Sequence, residues 1–160
     1  MTTELYFLRH AHAGDPAAWN APDASRPLSE KGEKQAERIG RHLAEVGFAP
    51  DALITSPKLR AAQTAEIVAG HLDLPVTPDP RLAGPLTLED IADILTDAGH
   101  PKRPVLFGHD PDFSDLVGEL VGAPIEVKKG ALVRIDIDGD IEPGGGSLRW
   151  LIPPSLLADR

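Results

Sequence analysis

The chain contains no cysteine, which removes disulfides, thiolate catalysis and cysteine-ligated zinc in one step. It is also short of positive charge: 16 Lys and Arg stand against 25 Asp and Glu, a formal net charge of -9. A nucleic-acid groove is therefore not expected, although a basic pocket set in an acidic body is compatible with that balance. No apolar run approaches bilayer-spanning length, and Glu4 and Arg9 bracket only four apolar residues near the start. Neither a membrane anchor nor a secretory leader is read there, and a cytoplasmic protein is expected. No glycine-rich run precedes a Lys-Ser or Lys-Thr pair, so a Walker-type phosphate loop is absent. Internal repeats and low-complexity segments are missing as well. At 160 residues, the chain reads as one domain, 1–160, long enough to bury a core without disulfides or metal.

What is present is a regular alternation. Leu5 to His10 places four apolar residues before Arg9 and His10, the pattern of a short buried strand delivering two polar side chains to a sheet edge. Ala11 to Leu28 has no period and reads as a long functional loop. Ser29 then caps a helix with Ala36, Ile39, Leu43 and Val46 at helical spacing, closed by Gly47. Ala52 to Thr55 is a second buried strand, and Ser56-Pro57 reads as the cap and first residue of a helix packing through Leu59, Ala62, Ile67 and Val68. Pro75 to Pro80 is extended. Thr87 caps a third helix bearing Leu88, Ile91, Leu95 and Ala98 and ended by Gly99. Pro104 to Gly108 forms another buried strand that stops at His109. Asp110-Pro111 repeats the cap-then-proline pattern before a helix with Phe113, Leu116, Val117 and Leu120. Ala131 to Ile137 and Ser147 to Ile152 alternate as a C-terminal antiparallel hairpin. The expected fold is α/β: a three-layer α/β/α sandwich with a mostly parallel central sheet completed by that hairpin.

In a parallel sheet the strand ends share one edge, so Arg9-His10, Ser56 to Arg60 and Gly108-His109 are expected to converge. Two imidazoles with two guanidiniums suit phosphoryl transfer: a neutral imidazole attacks phosphorus while the cations hold the non-bridging oxygens. Neighbouring cations also favour the uncharged, nucleophilic form of a histidine.

On these residues the sequence resembles the histidine phosphatases of the phosphoglycerate mutase-like superfamily. The family's Arg-His-Gly signature corresponds to Arg9-His10-Ala11, and its Pro-Leu-Ser/Thr-x-x-Gly segment to Pro27-Leu28-Ser29-Glu30-Lys31-Gly32. Its Ser-Pro-x-x-Arg-Ala-x-Gln-Thr segment stands intact from Ser56 to Thr64, and its late histidine is Gly108-His109. The resemblance covers nearly the whole chain, and four motifs in the right order make it specific. The short connection from Leu72 to Pro104 leaves little room for a lid subdomain, which points to the compact SixA-type phosphohistidine phosphatase branch. The resemblance implies a phosphatase that needs no metal or other cofactor. His10 would be the nucleophile that becomes phosphorylated, and Arg9, Arg60 and His109 would bind the phosphoryl group, joined by Arg26. By this resemblance the substrate would be phosphohistidine in a phosphorylated protein, with a small phosphorylated molecule as the alternative. The proton-donating glutamate of larger members has no clear match; Glu89, Asp90, Asp15 and Asp23 are the carboxylates available. A labile P–N bond needs less acid assistance than an ester, in keeping with a phosphohistidine substrate.

Other readings compete at single residues. His10-Ala11-His12 places two imidazoles as metal ligands would be placed, but arginines at the same point oppose a dication. His42, His71 and His100 read as exposed helix residues. Asp136, Asp138, Asp140 and Glu142 imitate a calcium loop, yet the required glycine is Ile141 and the terminal glutamate is Ser147. A catalytically silent phosphate-binding module is the alternative from a different functional class.

Overall fold

The structure, a computed structural model, describes residues 2–157. Its strands are β1 (Thr3–Arg9), β2 (Ala52–Thr55), β3 (Thr77–Pro78), β4 (Pro104–Gly108), β5 (Leu132–Ile137) and β6 (Gly146–Ile152). The helices are α1 (Glu30–Glu45), α2 (Leu59–Leu72), α3 (Leu88–Asp97) and α4 (Asp112–Val121). The strands form one sheet in the order β3-β2-β4-β1-β5-β6. β1, β4, β2 and β3 run parallel, and the β5–β6 hairpin continues the sheet antiparallel to β1. This is the expected sandwich, and the extended segment Pro75 to Pro80 supplies its short edge strand.

Alternation along the parallel strands divides the core between two faces. Leu5 and Phe7 of β1, Ile54 of β2 and Leu106 of β4 pack with α3 and α4. Tyr6, Leu8, Leu53, Val105 and Phe107 point the other way, onto α1 and α2. Successive strand residues face opposite sides, so strands buried on both faces carry apolar residues at every position. At roughly 1.5–3 kcal/mol for each fully buried large side chain, these two layers dominate the favourable side of folding. Phe7 and Phe113 meet edge to face with centroids 5.0 Å apart, locking α4 beneath β1. Gly108 is required by the same packing, because a Cβ there would sit 2.6 Å from the Phe113 ring.

Register brings the functional strand ends level. Arg9 pairs with Gly108 and Thr55 with Phe107, so β1, β2 and β4 finish at one edge. From that edge the chain leaves β1 toward α1 on one face and leaves β4 toward α4 on the other. Adjacent strands with connections to opposite faces open the crevice in which α/β sheets bind ligands.

Several local expectations shift. α2 starts at Leu59 with Lys58 at its cap position, so Ser56-Pro57 lies before the helix; Ser56 Oγ accepts from the Lys58 backbone N–H at 3.2 Å. α4 starts at Asp112, and Asp110 receives the Ser114 backbone N–H at 3.0 Å from outside the helix. The buried face of α2 runs through Arg60, Ala61, Thr64, Ala65, Val68 and Ala69. Leu59 and Ala62 are not in it, because Arg60 and Thr64 take inward positions that hydrophobic spacing alone assigns to apolar residues. Val46 and Ala98 fall at the C-caps of α1 and α3 and are exposed, since both helices have ended there.

Candidate active site

Among the described residues, the buried polar side chains are His10, Arg26, Thr55, Ser56, Arg60, Thr64 and His109. All belong to the crevice or its walls. Burying that many polar groups in one place is costly unless partners or a ligand satisfy them, so the cluster marks a site before any chemistry is assigned.

His10 lies just past β1 and is 5% exposed. Its Nδ1 is 2.7 Å from the Ala11 carbonyl oxygen. A carbonyl can only accept, so Nδ1 carries the proton and Nε2 keeps its lone pair. The backbone is pinned around it: His10 N–H donates to Gly108 O at 3.0 Å, and Gly130 N–H reaches both Arg9 O and His10 O. Ala11, in the place of the family's glycine, is fully buried, and its N–H donates to Thr64 Oγ1 at 3.1 Å. Burial pushes the His10 pKa down to about 4, opposed by the Ala11 hydrogen bond and reinforced by Arg60, Arg9 and Arg26. The imidazole is neutral at pH 7 and able to act as a nucleophile.

His109 faces it, with ring centroids 5.3 Å apart. Ser56 Oγ lies 2.7 Å from His109 Nε2, so the serine serves the site while it also accepts the Lys58 N–H ahead of α2. Burial lowers the His109 pKa to about 3, with His10, Arg60 and Lys58 adding to the effect and Asp23 opposing it. His109 Nδ1, Arg9 Nε and Arg60 Nε are buried and have no hydrogen-bond partner within the protein. Unpaired buried nitrogens on three side chains of one crevice are what an anion site looks like when unfilled by protein groups.

The arginines are held from behind. Arg9 NH1 donates to Val127 O at 3.0 Å and pairs with Asp110 at 3.4 Å; Ser114 Oγ donates to the same Asp110 oxygen at 2.6 Å. Arg60 projects from the first turn of α2, where the helix dipole disfavours a cation, and is anchored by Asp23: NH1 donates to Asp23 O at 3.0 Å and NH2 to its Oδ2 at 2.9 Å. Arg26 donates to Ala13 O at 2.8 Å and through Nε to Asp23 Oδ1 at 3.3 Å. Despite a desolvation effect in the opposite direction, Arg60 and Arg26 hold the Asp23 carboxyl below its usual range.

The long loop Ala11 to Leu28 carries Asp23 and Arg26 into the site, and side chains of α1 and α2 shape it. Gln63 accepts the Leu28 N–H at 2.8 Å and Gln35 the His12 N–H at 3.0 Å. Gly32 is packed so closely that a Cβ would overlap the His12 carbonyl oxygen at 1.8 Å. His12 itself turns to Ser29, with Nδ1 2.6 Å from Oγ, and among the described residues no three His, Cys, Asp or Glu side chains group as metal ligands.

The structure thus brings together Arg9, His10, Arg26, Arg60 and His109. Of the carboxylates considered as proton donors, only Asp23 touches the site arginines among the described contacts. Asp15 caps the 3-10 turn Pro16–Ala18, Glu89 is exposed, and Asp90 closes a capping box with Thr87. Sequence reasoning brought Ser56 to the converging edge but read it as a helix cap, and it missed Asp110 and Ser114 as supports of the site. Their proximity to the expected strand ends was the available signal.

Residues 5–103 match the family model described as histidine phosphatase superfamily (branch 1). The chain belongs to the histidine phosphatase superfamily. This histidine phosphatase is 29% identical to phosphohistidine phosphatase SixA of Escherichia coli over 96% of both chains. It is 31% identical to a 2,3-bisphosphoglycerate-dependent phosphoglycerate mutase of an Arthrobacter species, over 95% of this chain and 77% of the mutase. A solved structure of the protein histidine phosphatase SixA complexed with tungstate superposes with a TM-score of 0.81 at 25% identity, covering 97% of this chain and 98% of that one. The near full-length likeness to SixA in sequence and in fold, with the family match, makes this a phosphatase of compact SixA-type build. No helix among the described residues is long and apolar enough to cross a membrane.

Proposed function

We propose that the protein removes phosphoryl groups through a covalent intermediate on His10, and that its substrate is phosphohistidine in another protein. The observation that carries the first part is the Nδ1 hydrogen bond to Ala11 O, which leaves Nε2 unprotonated beside buried, unpartnered donors. In the first step Nε2 forms a bond to phosphorus as the bond to the substrate nitrogen breaks, and the departing imidazole takes its proton from solvent. Arg9, Arg26, Arg60 and His109 bind the non-bridging oxygens, supplying the electrostatic stabilisation on which phosphoryl transfer depends. Water then attacks the phosphorus of phospho-His10, releasing inorganic phosphate and restoring the neutral imidazole.

Two observations support the finer choice of substrate. The likeness to SixA runs the length of both chains. Of the carboxylates weighed as proton donors, the one in contact with the site, Asp23, is held ionised by two arginines, so it is a poor acid at neutral pH and suits a leaving group that needs little protonation. The likeness to a phosphoglycerate mutase favours a second reading, a phosphatase for a small phosphate ester. Comparative kcat/KM for a histidine-phosphorylated protein, sugar phosphates and nucleotides separates the two: the phosphoprotein is expected to lead by at least tenfold, and a sugar phosphate or nucleotide in its place would overturn the choice.

A further inference from the structure

Asp23 stands between the buried cations and solvent. The guanidiniums it binds are almost closed off, with Arg26 and Arg60 side chains 9% and 7% exposed, while the Asp23 side chain is 54% exposed. Both oxygens are engaged, Oδ1 by Arg26 and Oδ2 by Arg60, and its backbone carbonyl takes a further Arg60 donor. The carboxylate is therefore a fixed negative charge on the outer side of the crevice in which Arg9, Arg26 and Arg60 converge. His10 lies deeper, at 5% exposure. In-line displacement sends the leaving group away from the attacking imidazole, and the exposed side of the crevice is the side on which Asp23 stands.

We infer that Asp23 is a specificity-determining residue that disfavours substrates whose leaving group carries its own negative charge close to the scissile phosphoryl. It selects for neutral or cationic carriers, such as an imidazole, against phosphorylated acids. This rests on the phosphatase reading above. A fixed carboxylate repels a like charge within a few ångströms even where water screens the pair; it offsets part of the attraction that Arg26 and Arg60 exert on that charge, and its own contribution to the discrimination is about tenfold at an intermediate effective dielectric. Lys31, Lys58 and Lys129 also send positive charge toward His12 or His109, but no described hydrogen bond or ion pair fixes their ammonium groups near the rim, whereas Asp23 is held by three bonds. A charge on a free, long stem discriminates less than one held in place.

The test uses 4-nitrophenyl phosphate and 3-carboxy-4-nitrophenyl phosphate, which differ at the leaving group by one carboxylate and need no acid assistance. The quantity read is the ratio of kcat/KM for the uncharged carrier to that for the charged one, taken first in the wild-type protein. Asp23→Asn keeps an acceptor for Arg60 and removes the charge, and should lower that ratio about tenfold; Asp23→Glu should retain it. An unchanged ratio in Asp23→Asn, or one equally lost in Asp23→Glu, overturns the inference while leaving the phosphatase reading intact. Absence of nitrophenol release from both compounds, together with no phosphate release from a histidine-phosphorylated protein, would overturn the phosphatase reading and the inference with it; absence of nitrophenol release alone would overturn the inference.

Discussion

Replacing Arg60 with methionine isolates the contribution of one buried guanidinium. Arg60 is 6% exposed, two of its nitrogens are bound to Asp23, and its Nε is buried without a partner. If that free nitrogen faces the phosphoryl oxygens, Arg60→Met removes one charge-assisted donor from the transition state. Such donors are worth about 2–4 kcal/mol in a water-poor site, which is roughly a 30- to 1000-fold loss in kcat/KM. Stability should respond differently. Methionine fills most of the volume, and burying one cation fewer beside Arg9 and Arg26 offsets the lost ion pair, so unfolding free energy should change by no more than about 1 kcal/mol. Stopped-flow hydrolysis of 4-nitrophenyl phosphate gives the first quantity and urea denaturation the second. A kcat/KM within threefold of wild type would refute the assignment of Arg60 to the phosphoryl group. A loss of activity matched by an equal loss of stability would show that Arg60 acts as a structural anchor for the Asp23 loop instead.

His10 is expected to stay neutral well below the ordinary histidine range: in nitrogen NMR titrations its ring should protonate near pH 4, and a midpoint near 6.5 would contradict the burial argument. Because His10 and His109 have folded-state pKa values lowered to about 4 and about 3, the unfolded chain binds protons first, so stability should fall as pH drops from about 6.5 through those values. For His10 alone that loss is on the order of 3 kcal/mol, measurable by denaturation at pH 7 and pH 4.5. Gly32→Ala should destabilise the protein by about 2–4 kcal/mol through overlap with the His12 carbonyl, lowering Tm by roughly 4–16 °C for a chain of this size; an unchanged Tm would mean that the loop after His10 moves freely away from α1.

The strands and helices were legible because burial on both sheet faces leaves continuous apolar runs, and helices packed on one side leave a 3.6-residue stripe. Arg9, His10, Arg60 and His109 could be placed at one edge because parallel strands must end together. Legibility failed where polar residues had two candidate uses. Ser56 and Asp110 both stand before a proline in the manner of helix caps, but Ser56 is drawn to His109 and Asp110 to Arg9. The helices accordingly begin later than local grammar predicts. The phase of α2 was misjudged for a related reason, since a buried arginine and threonine occupy its inner face. Asp23 was weighed as a proton donor; its contacts across 37 residues of sequence to Arg60 depend on how the long loop folds, and no local pattern encodes that. Departures from sequence rules thus gather around the site, where side chains serve the crevice at the expense of local structure.

The central claim is that phosphorus becomes bonded to His10. The direct measurement mixes the protein with substrate bearing a radiolabelled phosphoryl group, quenches within one turnover into base, where phosphohistidine survives, and maps the label by peptide mass spectrometry. Label on the peptide containing His10, absent from a folded His10→Ala variant, is the predicted result. Turnover without any labelled enzyme intermediate, or equal labelling of the variant, would contradict the account.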